Sequence, residues 1–110
     1  MIDIDKIKDE IVASLSPLKP DRVVLFGSFA DGTPGEDSDV DLYVVTNDDF
    51  MPQDWSQKNE IYLNVSRRIR SLRSRVPVDL IVHTRKMHER FIELGSSFSR
   101  QITSQGERLI

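Results

Sequence analysis

The sequence predicts an α/β (α+β) fold in which helices flank a small mixed β-sheet, and two features carry this prediction. Three short apolar runs, at residues 22–26, 39–45 and 76–83, have the length and valine-rich composition of strands. Around and between them lie longer segments whose apolar residues recur at helical spacing. The length of 110 residues suits one domain, so we expect residues 1–110 to fold as a single unit.

Helices are predicted where apolar stripes are bounded by proline, glycine or a capping residue. We expect them at residues 3–16, which end before Pro17, at 55–74, from a Thr84 cap to Gly95, and at 96–106. Residues 31–38 read as a loop, and the last four residues as a brief strand. The buried stripes comprise Ile4, Ile7, Ile11, Val12 and Leu15, then Ile61, Val65, Ile69 and Leu72, and finally Met87, Phe91 and Leu94.

Composition excludes several classes of function. The absence of cysteine excludes disulfides, a thiol nucleophile and cysteine-ligated metal sites. A net charge of −3 gives no support to direct nucleic-acid binding. No apolar run approaches the length of a membrane span, and the first ten residues alternate charge with isoleucine, so a cytoplasmic protein is expected.

Three carboxylates are expected to meet on one face of the sheet. Strand side chains alternate between faces, so Asp39 and Asp41 project together while Val40 and Leu42 project oppositely. Asp79 interrupts the third apolar run and joins the other two if that strand lies beside the second. Adjacent carboxylates repel each other, and a divalent cation between them would explain their presence. The sequence therefore predicts a site for two Mg²⁺ ions, or Mn²⁺, on a face open to solvent.

The first strand leads into Gly27-Ser28, whose features suit phosphate binding. Glycine lets a ligand approach the backbone closely, free N–H groups can donate hydrogen bonds, and the serine adds a hydroxyl. Taken alone, this pair is typical of an ordinary strand-to-loop turn. Beside a predicted magnesium site it indicates a nucleoside triphosphate as ligand.

In this order, the motifs resemble those of the nucleotidyltransferase superfamily that includes DNA polymerase beta, and specifically its minimal members, the MNT domains. The matching residues are Gly27-Ser28, Asp39-Val40-Asp41-Leu42 after Ser38, and Asp79 within PVDLIV. The resemblance implies a palm-like fold, with ATP as substrate and Gly27, Ser28 and Ser38 at the nucleotide. It also implies that Asp39, Asp41 and Asp79 are the catalytic metal ligands.

Minimal proteins of this kind are often antitoxins paired with a helical HEPN ribonuclease toxin. The resemblance therefore implies transfer of AMP from ATP to a tyrosine of such a toxin, with the toxin as the partner protein. The chain departs from the family pattern at Asp31, where an arginine is usual, and this reverses the charge near the expected triphosphate.

Two alternatives stay open. A non-catalytic antitoxin could neutralise its partner by occlusion, and the Asp31 departure favours that reading. A small-molecule adenylyltransferase of the aminoglycoside-modifying type shares the core, although such enzymes usually carry a further helical domain. His83 and His88 lack partners at metal-site spacing, so surface or capping roles are expected for both.

Overall fold

The computed structural model describes residues 3–32 and 39–110, and its helices and strands follow one another along the chain. In chain order the elements are α1 (Ile4–Leu15), β1 (Arg22–Phe26), α2 (Ser28–Asp31), β2 (Val40–Val45), α3 (Trp55–Arg68), α4 (Arg70–Arg73), β3 (Val78–His83), α5 (Arg85–Leu94), α6 (Ser97–Arg100) and β4 (Glu107–Arg108). A 3₁₀ turn, Ser16–Leu18, follows α1, and a π-helical turn, Gln101–Gln105, follows α6.

The four strands form one mixed sheet in the order β3-β2-β1-β4. The central strands β1 and β2 are antiparallel, β4 is antiparallel to β1, and β3 is parallel to β2. The parallel pair needs a crossover, which the long helix α3 supplies. The prediction of a small mixed sheet flanked by helices is confirmed.

Apolar side chains pack on both faces of the sheet. The larger core lies between one face and helices α1, α3 and α4, and it includes Ile11, Leu15, Val23, Leu25, Leu42, Val44, Val65, Ile69 and Leu72. A smaller cluster on the other face consists of Val24, Phe26, Tyr43, Val45 and Ile102, with Ile81 and Phe91 packed against it. Because neighbouring strand residues alternate between the two clusters, the register of each strand is strongly specified.

Side-chain caps define where the helices begin. The carboxylates of Asp3 and Asp54 and the hydroxyl of Thr84 accept hydrogen bonds from backbone N–H groups in the first turns of α1, α3 and α5. Each cap satisfies a donor that has no partner inside the helix. The predicted cap at Thr84 and the predicted helix end at Gly95, which has φ 58°, are confirmed. None of the described helices is both long and apolar enough to cross a membrane.

The predictions for three segments of the chain differ from the structure. The helix expected over residues 55–74 is interrupted at Ile69, and the break keeps both Ile69 and Leu72 in the core. Leu94, expected to be buried, is 69% exposed, whereas Phe91 of the predicted stripe packs against the smaller cluster and Met87 is half-buried. The residues after Gly27 form the short helix α2 before the expected loop, most of which lies outside the described residues.

The face of the sheet that carries the predicted carboxylates is also less exposed to solvent than the sequence predicted. Helix α5 and the π-helical turn cover its middle, where Tyr43, Val45 and Ile102 are buried. At its end Asp41 is half-buried and Asp79 is exposed, and along β3 the side chains of Ile81 and His83 are half-buried. The cause is the number of apolar side chains on this face, which need cover from water.

Candidate active site

Asp41 and Asp79 occupy the same register position on the adjacent parallel strands β2 and β3. On β2, Val40 and Leu42 point into the larger core, so Asp41 points to the opposite face. On β3, Val78 and Leu80 likewise face that core, and Asp79 is exposed on the side of Asp41. The predicted neighbourhood of β2 and β3, which brings these two carboxylates together, is therefore present.

Gly27 brings the backbone against this pair of carboxylates. Its φ of 74° lies in the region that favours glycine. A Cβ atom at this position would collide with Oδ2 of Asp41. Glycine is therefore required here both for its backbone conformation and for the close approach of the carboxylate. Ser28, half-buried, is the first residue of α2, and Phe29 anchors that helix in the larger core.

The electrostatics of the site centre on Asp41. Partial burial raises the pKa of its carboxyl above the ordinary 3.8, and the negative charges of Asp79 and then Asp39 raise it further. Asp39, which lies just before β2, is thus close enough to act on Asp41 through its charge. No lysine, arginine or histidine in the described part of the chain forms an ion pair with these three aspartates.

The three aspartates offer the type of ligand atom that a hard divalent cation binds, but their side chains do not converge as a metal site requires. Carboxylate oxygens without a cationic partner are the ligands that Mg²⁺ prefers. Within residues 3–32 and 39–110, however, no three histidine, aspartate or glutamate side chains gather closely enough to form a metal site. Asp41 and Asp79 form the in-register pair, and Asp39 stands beside them without completing a group of three. Ser38, the third predicted nucleotide contact, lies outside the described residues.

A cluster of one buried tyrosine and two half-buried histidines adjoins the carboxylates, and the sequence analysis did not predict it. The hydroxyl of Tyr43 hydrogen-bonds to Nδ1 of both His83 and His88, and the tyrosine is fully buried. Burial lowers the pKa of both imidazoles and raises that of the phenol. The expectation of surface or capping roles for the two histidines is wrong, because α5 packs over this face of the sheet.

A signal for part of this cluster was present in the sequence. Tyr43 lies two residues after Asp41, and His83 lies four residues after Asp79, so strand alternation places both on the carboxylate face. His88 gives no such signal, since it reaches the cluster only through the way α5 packs.

A groove of about 310 Å³ runs along the outer edge of the sheet, between α3 and β3. Trp55, Lys58, Asn59 and Tyr62 of α3 line one side, and residues 80–83 of β3 line the other. The strand on this side is the edge of the sheet, and Asp79 directly precedes the residues that line the groove. Asp79 is not among the residues that line the groove, but its own side chain is exposed at the start of this edge strand.

Comparisons with known proteins agree with this geometry. The family model described as "Polymerase beta, Nucleotidyltransferase" matches residues 6–110. The fold is similar to that of a toxin-antitoxin crystallised with AMP-PNP, at 21% identity and a TM-score of 0.57, with 94% of this chain and 72% of that chain covered. A mutant of the toxin-antitoxin MntA-HpeT is similar at 19% identity and a TM-score of 0.55, with the same two shares covered. The search of curated proteins gives no match.

Proposed function

Because the chain belongs to the polymerase beta nucleotidyltransferase family, we propose that it transfers AMP from ATP to a tyrosine hydroxyl of a partner protein. The partner that the sequence motifs suggest is a HEPN toxin, for which this chain would be the antitoxin. The toxin-antitoxin crystallised with AMP-PNP supports a nucleotide and a protein partner for this fold. The observation that carries the proposal is the register pairing of Asp41 with Asp79 directly beside Gly27.

Each residue of the site has a role in this reaction. The backbone at Gly27 and the hydroxyl of Ser28 would hold the triphosphate, with Ser38 as a further contact. Mg²⁺ or Mn²⁺, bound as two ions by Asp39, Asp41 and Asp79, would neutralise phosphate charge and favour ionisation of the acceptor hydroxyl.

Asp79 lies on the side from which an acceptor can approach, because β3 is the edge strand and the Asp79 side chain is exposed. It would orient the acceptor hydroxyl and help to remove its proton. The hydroxyl oxygen then forms a bond to the α-phosphorus of ATP, and the bond from that phosphorus to the bridging oxygen of pyrophosphate breaks. AMP remains on the acceptor, pyrophosphate leaves, and the hydroxyl proton passes to solvent.

The experiment uses the purified protein with the product of the adjacent reading frame, ATP and Mg²⁺. We expect intact-mass spectrometry to show a gain of one or more AMP units on that neighbour. Asp79→Asn and Asp41→Asn should abolish the gain, whereas Asp9→Asn, an exposed aspartate on α1, should leave it unchanged. A neighbour that keeps its mass with the wild-type protein would contradict the proposal.

Inhibition by occlusion is the second candidate, and the lack of a three-ligand metal group among the described residues favours it. In that case the protein would still inhibit its partner after both Asp39 and Asp41 are changed to Asn. An enzyme would lose inhibition with that double variant, so measuring the partner's RNase activity separates the two candidates.

A further inference from the structure

Phe98 on α6 is a partly exposed aromatic residue that packs against the residue preceding the Gly-Ser turn. Its ring centroid lies 5.7 Å from that of Phe26 and 6.0 Å from that of Phe91. The interplanar angles of 77° and 76° make both contacts edge-to-face. Phe26 is only 6% exposed, but Phe98 remains 40% exposed. Neither of the two aromatic contacts that Phe98 makes within the described part of the chain is a parallel stack.

The position of Phe98 relative to the phosphate site follows from the sheet. Phe26 directly precedes Gly27, and it pairs with Asp41 across β1 and β2. Paired residues on adjacent strands point to the same face, so Phe26 and Asp41 are side-by-side neighbours. Phe98 lies against Phe26 and is accordingly one side chain removed from Asp41. Through Phe26, the ring of Phe98 therefore adjoins the segment that leads into Gly27.

Packing alone accounts for only part of this arrangement. Phe98 shields Phe26, but an aliphatic residue would do the same, and the contacts with Phe26 and Phe91 leave Phe98 40% exposed. Two apolar residues of the preceding helix α5, Ile92 and Leu94, are also exposed, but neither is aromatic. A partly exposed aromatic ring next to a phosphate site is an arrangement that can bind a nucleobase by stacking.

We infer that Phe98 is the stacking platform for the nucleobase of the bound nucleoside triphosphate. This inference rests on the proposed function, because it assumes that the phosphates lie at Gly27 and Ser28. Stacking engages the π-face that every base has, so Phe98 should contribute to ATP and GTP binding to a similar extent. Its contribution should be absent for a ligand without a base.

The test compares ATP with inorganic tripolyphosphate, each titrated with Mg²⁺ by isothermal calorimetry. Phe98→Leu keeps an apolar side chain over Phe26 but removes the π-face, so the fold should be retained. We expect this variant to weaken ATP binding roughly tenfold while tripolyphosphate binding stays within about twofold. Phe98→Trp, which keeps an aromatic ring at this position, should bind ATP about as tightly as the wild type. Leu94→Ala, a matched apolar change on α5, should affect neither ligand.

The outcomes separate this inference from the proposed function. Wild-type affinity for ATP in Phe98→Leu would overturn the inference and leave the proposed function standing. An equal loss for ATP and tripolyphosphate would overturn it too, because Phe98 would then act by supporting the phosphate site. If the wild-type protein binds neither ligand, the proposed function fails and the inference fails with it.

Discussion

The hydroxyl oxygen of Tyr43 lies 2.7 Å from Nδ1 of His88, and the same oxygen lies 2.9 Å from Nδ1 of His83. A phenol has one proton to donate, so it can donate to one imidazole while the other donates its own Nδ1–H to the phenolic oxygen. Both contacts are satisfied at once only when the two rings adopt complementary tautomers. This network holds α5 against the sheet next to the carboxylate pair.

Lowering the pH should destabilise the protein through His83. Burial lowers its pKa to about 4 from the ordinary 6.5, and the positive charge of Lys58 and then the charge of His88 act in the same direction. Between pH 6.5 and 4 the unfolded chain binds a proton that the folded chain does not, so stability rises with pH in this window. Thermal melts should show a melting temperature that falls as the pH is lowered from 6.5 toward 4.

The matched control for this pH dependence is His83→Asn, which removes the titrating group. Its melting temperature should change less between pH 6.5 and 4 than that of the wild type. Asp41 acts in the opposite sense, because its raised pKa means that the folded state gains a proton first as the pH falls. That contribution is common to both proteins and cancels in the comparison. Equal slopes for the two proteins would contradict the role of His83.

Removal of the Tyr43 hydroxyl should destabilise the fold. Tyr43→Phe would leave the Nδ1 atoms of two half-buried imidazoles without their partner, at a cost of about 1–3 kcal/mol in the free energy of unfolding. Tyr62→Phe is the matched control, since the half-buried Tyr62 hydroxyl accepts one hydrogen bond, from Arg73. Urea denaturation should show a larger loss for Tyr43→Phe. Similar losses would mean that the imidazoles find other partners.

Local patterns predicted the strands and helices because each depends on side-chain periodicity over a few residues. Alternation along β2 and β3 was enough to place Asp41 and Asp79 on one face once the strands are neighbours. Their adjacency was an assumption, because pairing between distant segments leaves no local signature. The contact of His88 with Tyr43 depends on how α5 packs across the sheet. The spacing of residues in the sequence does not predict the orientation of a helix relative to a sheet.

The break at Ile69 is a second feature that local sequence patterns do not predict. The apolar stripe continues through Ile69 to Leu72, so periodicity predicts an uninterrupted helix. In the structure Ile69 has φ −109° and ψ 22°, outside the helical region, and both side chains stay buried. Tertiary packing therefore decides where this helix ends, and both side chains remain in the core despite the break. No residue type in the segment, such as proline or glycine, predicts it.

Neutralising Asp41 should stabilise the metal-free protein. The carboxylate is partly desolvated and is repelled by Asp79 and Asp39, so its ionised form opposes folding. Asp41→Asn should raise the free energy of unfolding by ~0.5 kcal/mol at pH 7, a value kept small because the group is partly exposed to solvent. Chemical denaturation in the presence of a chelator measures this change. A destabilised variant would contradict the electrostatic account.

Magnesium should reverse the order of stability of these two proteins. If the aspartates bind Mg²⁺, the ion stabilises the folded wild type by mass action. We expect the wild-type melting temperature to rise with Mg²⁺ concentration while that of Asp41→Asn stays nearly constant. Asp9→Asn should respond as the wild type does. A shift of equal size in all three proteins would place the bound ion elsewhere.

Replacement of Gly27 should test the close approach of the backbone to Asp41. Gly27→Ala introduces two penalties, since Gly27 has φ 74° and the new Cβ would collide with the carboxylate of Asp41. Gly32→Ala is the matched control, because Gly32 has φ 75° but no atom of residues 3–32 or 39–110 within 4 Å of an added Cβ. The control should lose about 1 kcal/mol from backbone strain alone. Gly27→Ala should lose a further ~1–3 kcal/mol from the collision, measured by urea denaturation.

A second substitution separates the collision from the strain. In an Asp41→Ala background the carboxylate is gone, so Gly27→Ala should then cost about as much as Gly32→Ala. Non-additivity of this kind between the two sites is expected only if they are in contact. If Gly27→Ala costs the same in both backgrounds, the carboxylate of Asp41 does not lie against residue 27, and the phosphate and metal sites proposed here are not adjacent.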